Sequence, residues 1–253
     1  MRTKKHYLST LYAIGLVILL WELLHLSLKS FVVPEPFEVL LYTFRNISLL
    51  GRHLGGSLIR IGLGLGLTLI IGGTLGLALG INSYWDAYIT PIIYLLYPVP
   101  RIAFLPIFMV LFGLGDLSKV ILIFAISVFH LIVSVRDSIV HLPKELFLTA
   151  RSWGLTRRQK LFDVIIPAVL PSIFTSLKLA IGSSMVAVFF AENYATQIGI
   201  GYYIMNAWIK VDYVEMYSGI LAISLCGMGL FKIIEGIERR VCQWKVGYVS
   251  KIN

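Results

Sequence analysis

The sequence predicts an all-α integral membrane protein with six transmembrane helices, and three observations carry that reading. Hydrophobic residues fill 58% of the 253 positions and charged residues only 14%, where soluble domains hold about 45–50% and about 25%. Mean hydropathy is +0.85. Apolar runs of the roughly 20 residues that a helix needs to cross a bilayer recur along the chain with short connections. This composition excludes an ordinary cytosolic enzyme, a disordered chain and a disulfide scaffold, and residues 1–253 read as one transmembrane domain.

The first run, Leu8 to Leu28, follows basic Arg2, Lys4 and Lys5. A cleaved signal peptide has an apolar core of about 7–15 residues and a small-residue cleavage site. This run is longer and ends in Ser27-Leu28-Lys29-Ser30, so it reads as a retained anchor, span 8–28. Residues 37–53 are amphipathic, with Val39, Leu40, Leu41, Phe44, Ile47 and Leu50 apolar. They are expected to lie at the membrane interface.

The second span, about 55–80, carries Gly62, Gly64, Gly66, Gly72, Gly73, Gly76 and Gly80. Small residues let membrane helices approach closely, either within one chain or at a subunit interface. The third span, about 86–112, contains Pro91, Pro98, Pro100 and Pro106 with Arg101 among them. Prolines break a helix, and breaks at membrane depth survive where protein or a water-filled cavity satisfies the freed groups. Arg101 then either lines a pathway or reaches the headgroups from a kinked packing helix.

The fourth span is expected over 119–139, the fifth over 166–191 and the sixth over 216–236. Between the fourth and fifth lies the loop 142–165. Pro143 suits the first turn of a helix over Lys144–Trp153, and Gly154 ends it. Thr156-Arg157-Arg158-Gln159 has the capping-box pattern, opening a second short helix that leads to Pro167. The loop is thus predicted to be a helix–Gly–helix elbow, with Arg151, Arg157, Arg158 and Lys160 giving it a basic face.

Charge orients the bundle. With six spans, both termini and the elbow share one side, which carries thirteen Lys and Arg against five on the other. Cytoplasmic loops concentrate such residues, so both termini are placed in the cytoplasm. The same bias accounts for the net charge of +9 without nucleic acid as a partner. Cys226 and Cys242 form one disulfide at most and have no metal-ligand spacing to the histidines, so neither redox chemistry nor a metal site is expected.

The segment Leu148-Thr149-Ala150-Arg151-Ser152-Trp153-Gly154, then nine residues to Val164, then Ile166-Pro167, resembles the EAA loop of permease subunits in binding-protein-dependent ABC importers. In that pattern, E-A-A-x-x-x-G-x(9)-I-x-L-P, Ala150, Gly154 and Pro167 match outright. Leu148 stands in place of its Glu and Thr149 in place of its first Ala. Phe31-Val32-Val33-Pro34-Glu35-Pro36, Tyr97-Pro98-Val99-Pro100, Phe112-Gly113-Leu114-Gly115-Asp116, Ala191-Glu192 and Gly199-Ile200-Gly201-Tyr202 resemble the sulfonate/taurine/nitrate branch.

The resemblance implies a type I importer permease bundle in the cytoplasmic membrane, the cell inner membrane. It implies a second copy of this chain, a cytoplasmic ATPase subunit that carries the ATP, and an extracytoplasmic solute-binding protein. The elbow residues Ala150, Arg151, Gly154, Arg157 and Pro167 would couple to the ATPase. No cofactor is expected on this chain, and it is not expected to be an enzyme: no G-x(4)-G-K-[ST] phosphate loop occurs. The path is expected near Arg101, Ser184, Met185, Phe189 and Glu192, with Ser183 and Phe190 beside them. Glu192 and Asn193 close the fifth span on the outer side, Glu192 either as a pathway residue or as a solvated carboxylate. Lys178 requires a partner or a route to the interface. A small anion such as a sulfonate, taurine or nitrate would suit a net-positive path. The competing reading is an ion-coupled secondary transporter, which usually shows internal repeats and midplane carboxylates. Neither is found here.

Overall fold

The computed structural model describes residues 2–244, and for residues 2–11 the backbone alone. Lys245 and Lys251, two of the thirteen cations on the elbow side, lie outside the described residues, as do the side chains of Arg2, Lys4 and Lys5. The first helix, α1 (Arg2–Leu28), stands at the edge of the bundle. It is attached by stacking of Trp21 on Tyr217, centroids 5.5 Å apart, and by Trp21 Nε1 donating to the Pro34 carbonyl at 3.2 Å. Much of its surface between Ile14 and Leu28 is exposed and apolar, as a helix facing lipid requires.

Helix α2 (Pro36–Arg45) opens on Pro36, whose missing N–H is no loss in a first turn. Only Asn46 separates it from α3 (Ile47–Ile81), a 35-residue helix with a π turn at Thr68–Gly72. The helix break thus falls at Asn46, inside the segment 37–53 expected at the interface, and α3 begins ahead of the span expected from about 55. Leu50, His53, Ser57, Arg60 and Ile61 continue a single buried face. The amphipathic pattern is therefore that of a helix packed on protein from its first turn.

The glycines of α3 sort by face. Gly64, Gly72, Gly76 and Gly80 lie against Ile123, Val128, Val135 and Ile139 of α6 (Asp116–Val140), and a Cβ on Gly76 would sit 2.7 Å from that of Val135. A Cβ on Gly62, Gly66 or Gly73 would meet nothing within 4 Å. The stripe serves packing within one chain. Helix α6 is consequently the axis of the fold, with Leu122, Ile123, Leu131 and Val135 buried between α3 on one side and α8 (Arg157–Glu192) on the other.

The expected span 86–112 is two helices, α4 (Ser83–Leu96) and α5 (Leu105–Phe112), joined through a short 3₁₀ turn at Arg101–Phe104. The bend between the halves is 84°. Pro98 and Pro100 remove two backbone donors at the break, while Pro106 sits harmlessly in the first turn of α5. Asn82 caps α4 by accepting from the Tyr84 and Trp85 amides.

After α7 (Lys144–Ser152) comes α8 (Arg157–Glu192), which passes through a π turn at Lys160–Ile165 before Pro167. A loop over 193–199 leads to α9 (Ile200–Ile209), and α10 (Tyr213–Val241) follows, capped by Asp212. Helices α3, α6, α8 and α10 are each long and apolar enough to cross a membrane, and the bent pair α4–α5 makes a fifth crossing if taken as one. In α1 the stretch Tyr12–Leu28 is a shorter apolar helix.

Candidate functional site

The elbow has the expected helix–Gly–helix geometry. At the end of α7 the Gly154 N–H bonds to the Arg151 carbonyl and the Leu155 N–H to that of Ala150, the paired bonds of a Schellman cap. Gly154 has φ +69°, a conformation that costs an L residue about 1–2 kcal/mol. Thr156 then opens α8 with a complete capping box: its Oγ1 accepts from the Gln159 amide, and Gln159 Oε1 accepts from the Thr156 amide at 2.9 Å. Lys160 Nζ lies 4.6 Å from the Phe147 ring and ties the two arms together. Ala150 is buried in the angle, Arg151 and Arg157 are exposed, and Pro167 lies in the first turn of the straight part of α8. Trp153 at the tip is 76% exposed and Leu148 62%.

Between α8, α9 and α10 runs a groove of about 1160 Å³. Met185, Phe189 and Phe190 line it from α8, Met205 and Trp208 from α9, and Met216, Met228 and Phe231 from α10. Its polar groups are few: Asn193 and Ser224, with Lys178, Lys232 and Glu235. Of the two alternatives for Lys178, a partner or a route to the interface, the structure shows a partner, Glu238 Oε2 at 2.6 Å.

Of the expected path residues, Met185 and Phe189 line the groove, as does Phe190. Ser184 does not. One residue from Met185 is about 100° of helix rotation, and this turns the Ser184 hydroxyl into the bundle, where it has no hydrogen-bond partner among the described residues. Arg101 stands apart at the α4–α5 break. Its Nη2 donates to the carbonyls of Leu96 and Tyr97 at 3.1 and 2.9 Å, and its guanidinium lies 4.5 Å from the Phe129 ring. The side chain thus closes the C-terminus of its own broken helix, a placement favoured by the negative end of the helix dipole.

Glu192 is the larger correction. It is neither solvated nor on the groove, but fully buried. Its carboxylate accepts from Arg60 Nη1 at 2.5 Å, from Ser57 Oγ at 2.9 Å and from the Gly201 N–H at 2.9 Å. Arg60 Nη1 also donates to the Ile198 carbonyl at 2.8 Å, and Nε and Nη2 reach Asp116 Oδ1 at 2.8 and 2.7 Å. The Ile200 N–H bonds to Ser57 Oγ at 2.9 Å, and His53 Nδ1 meets the Gly199 peptide. Nearby, buried Lys119 donates to the carbonyls of Leu114 and Gly115, both at 3.2 Å. Arg60 and its two carboxylates thereby bind α3, α6, α8 and α9 together at the end of the bundle away from the elbow.

Arg60 escaped the sequence reading. Its signal was available: a cation between Ile59 and Ile61, in a run of glycines and aliphatics, must find a carboxylate. Glu192 and Asp116 end and begin their own spans at the same side.

Residues 68–243 match the family model described as binding-protein-dependent transport system inner membrane component. The chain is 30% identical to the taurine transport system permease protein TauC of Escherichia coli, over 88% of this chain and 84% of that protein. It is 27% identical to the putative aliphatic sulfonates transport permease protein SsuC of Bacillus subtilis, over 98% and 91% of the two. A chain from the inward-facing MetNI methionine ABC transporter superposes with a TM-score of 0.66 at 17% identity, covering 78% of this chain and 98% of that one, and so shares the fold. The chain therefore belongs to the family of inner membrane components of binding-protein-dependent transport systems, as an importer permease of the sulfonate/taurine/nitrate branch.

Proposed function

We propose that two copies of this chain form the translocation path of an ATP-driven importer. Two cytoplasmic ATPase subunits bind and hydrolyse the ATP, and an extracytoplasmic solute-binding protein delivers the solute. Each copy crosses the cell inner membrane six times, with α1 and the pair α4–α5 each counting as one crossing. Both termini and the elbow lie in the cytoplasm, on the side with the excess of Lys and Arg.

The observation that carries this reading is the elbow. It is a rigid, doubly capped turn that presents exposed Trp153 and Leu148 beside Arg151 and Arg157. Trp153 and Leu148 offer apolar surface, and the cations beside them charge, for a partner subunit to cover. In the proposed cycle ATP closes the ATPase dimer, the two elbows move with it, and α8 transmits the motion directly, since it begins at the elbow and ends at Glu192. Met185 and Phe189 are proposed to face the solute where the grooves of two copies meet, and Arg101 to lie beside the path at the helix break. The relatives named for taurine and aliphatic sulfonates support a small organic anion as the solute.

Gentle purification of the tagged chain from its native membrane, with mass spectrometry of what accompanies it, tests the proposal. An ATPase subunit in about equal amount is expected. A chain that is pure without one, and still moves solute in liposomes, would establish the ion-coupled carrier instead.

A further inference from the structure

Asp116 joins a buried network to the surface. Its side chain is 68% exposed, while that of Arg60, which it engages, is only 7% exposed. Both Arg60 bonds fall on Oδ1, and Oδ2 takes part in no hydrogen bond among the described residues. The carboxyl group is reached from the surface, since most of the side chain is exposed. The loop before Asp116 is nevertheless fixed, because Lys119 holds the carbonyls of Leu114 and Gly115 and Ser118 Oγ bonds the latter at 3.1 Å.

On the other side of Arg60 the network reaches the walls of the groove. Glu192 is the last residue of α8, three residues beyond groove-lining Phe189, and its carboxylate holds the Gly201 N–H in the first turn of α9. Anything that alters how Arg60 divides itself between Asp116 and Glu192 therefore acts on two of the three groove helices.

We infer that Asp116 is a docking contact for a basic side chain of the extracytoplasmic solute-binding protein, and that Arg60 relays this contact to Glu192. The inference rests on the importer reading and on its orientation, which places Asp116 outside. A Lys or Arg is the side chain that completes a half-used carboxylate at an open rim. As it draws on Asp116, the guanidinium of Arg60 is left more fully to Glu192. Rim charges act mainly on encounter rate and salt dependence, while buried charge pairs govern the lifetime of the docked state. The two ends of the network should thus be separable by experiment.

The test uses the assembled transporter in nanodiscs, with the solute-binding protein that co-purifies with it, and tracks ATPase stimulation against binding-protein concentration at low and high KCl. For the wild type, half-saturation should move to higher concentration with salt. Asp116→Asn should raise half-saturation at low salt by roughly tenfold and remove most of the salt dependence. Glu192→Gln keeps the bonds to Ser57 and Gly201, and should leave half-saturation in place while lowering maximal stimulation. Asp116→Asn with wild-type half-saturation and salt response overturns the docking contact. Glu192→Gln with full stimulation overturns the relay. Labelling of Asp116→Cys by a membrane-impermeant maleimide only from the cytoplasmic side overturns the orientation on which both depend. A wild-type chain that binds no ATPase at all removes the importer reading itself, and is recognised before any variant is made.

Discussion

Gly199 lies so close to Glu192 that a Cβ on the glycine would fall on the carboxylate itself. The loop after α8 thus owes its path to the absence of a side chain at this position, and the absence is needed for sterics alone, since φ there is 167°, ordinary extended backbone. Gly199→Ala should push Glu192 away from Arg60. Breaking a buried ion pair on one side costs about 3–5 kcal/mol, so a thermal melt in detergent should show a large loss. An unchanged melting temperature would mean that the network rearranges at no cost.

The face-sorted glycines of α3 give a paired prediction. Gly76→Ala forces a methyl against the Val135 Cβ and the Ile132 carbonyl, 2.9 Å away, and overpacking of this kind costs about 1–3 kcal/mol. Gly73→Ala meets nothing within 4 Å and should leave stability equal or slightly higher, as Ala is the better helix former. Thermal stability of the two variants side by side decides it. Equal losses would show that the open face of α3 is not open in the assembled protein.

At the elbow, Gly154→Val and Gly154→Asn separate conformation from bulk. No atom stands within 4 Å of a Cβ there, so only the φ of +69° opposes substitution. A β-branched residue tolerates it badly and Asn tolerates it well. Gly154→Val should insert normally yet lose most solute uptake, whereas Gly154→Asn should retain it. Uptake by membrane vesicles, normalised to inserted protein, is the measurement.

Asp86 and Arg136 form a two-pronged pair between α4 and α6, with bonds of 2.7 and 2.5 Å. Asp86→Asn and Arg136→Gln should each destabilise, and the double variant by less than their sum. An interaction energy of about 1–3 kcal/mol is expected from the cycle. Strict additivity would show that the pair holds nothing.

Legibility from sequence divides along a physical line. Gly154, Thr156 and Gln159 announced the elbow because caps and capping boxes are set by residues three or four apart. The break in the third span was likewise local, written in Pro98 and Pro100. Arg60 and Glu192, by contrast, lie 132 residues apart, and only the packing of α3 against α8 joins them. Ser184 failed for a related reason: sequence places a residue in a span, but which face it occupies depends on which neighbours the helix acquires. The early start of α3 has the same cause: an amphipathic run such as 37–53 has the same pattern at an interface and on a protein face, and only the tertiary contact that buries His53 against the Gly199 peptide distinguishes them.

The bend between α4 and α5 makes the pair a jointed strut. The lower arm, α4, is about 21 Å long and the upper, α5, about 12 Å. Asp86 pins the lower arm to Arg136, and Ile93 seats it among Leu79, Val128 and Ile132. Leu105 seats the upper arm against Ile61 and Val188. The helical ladder is interrupted over 97–100. There the guanidinium of Arg101 hangs from the upper segment and grips the last carbonyls of the lower, so that a side chain clasps the two arms across the gap the prolines leave.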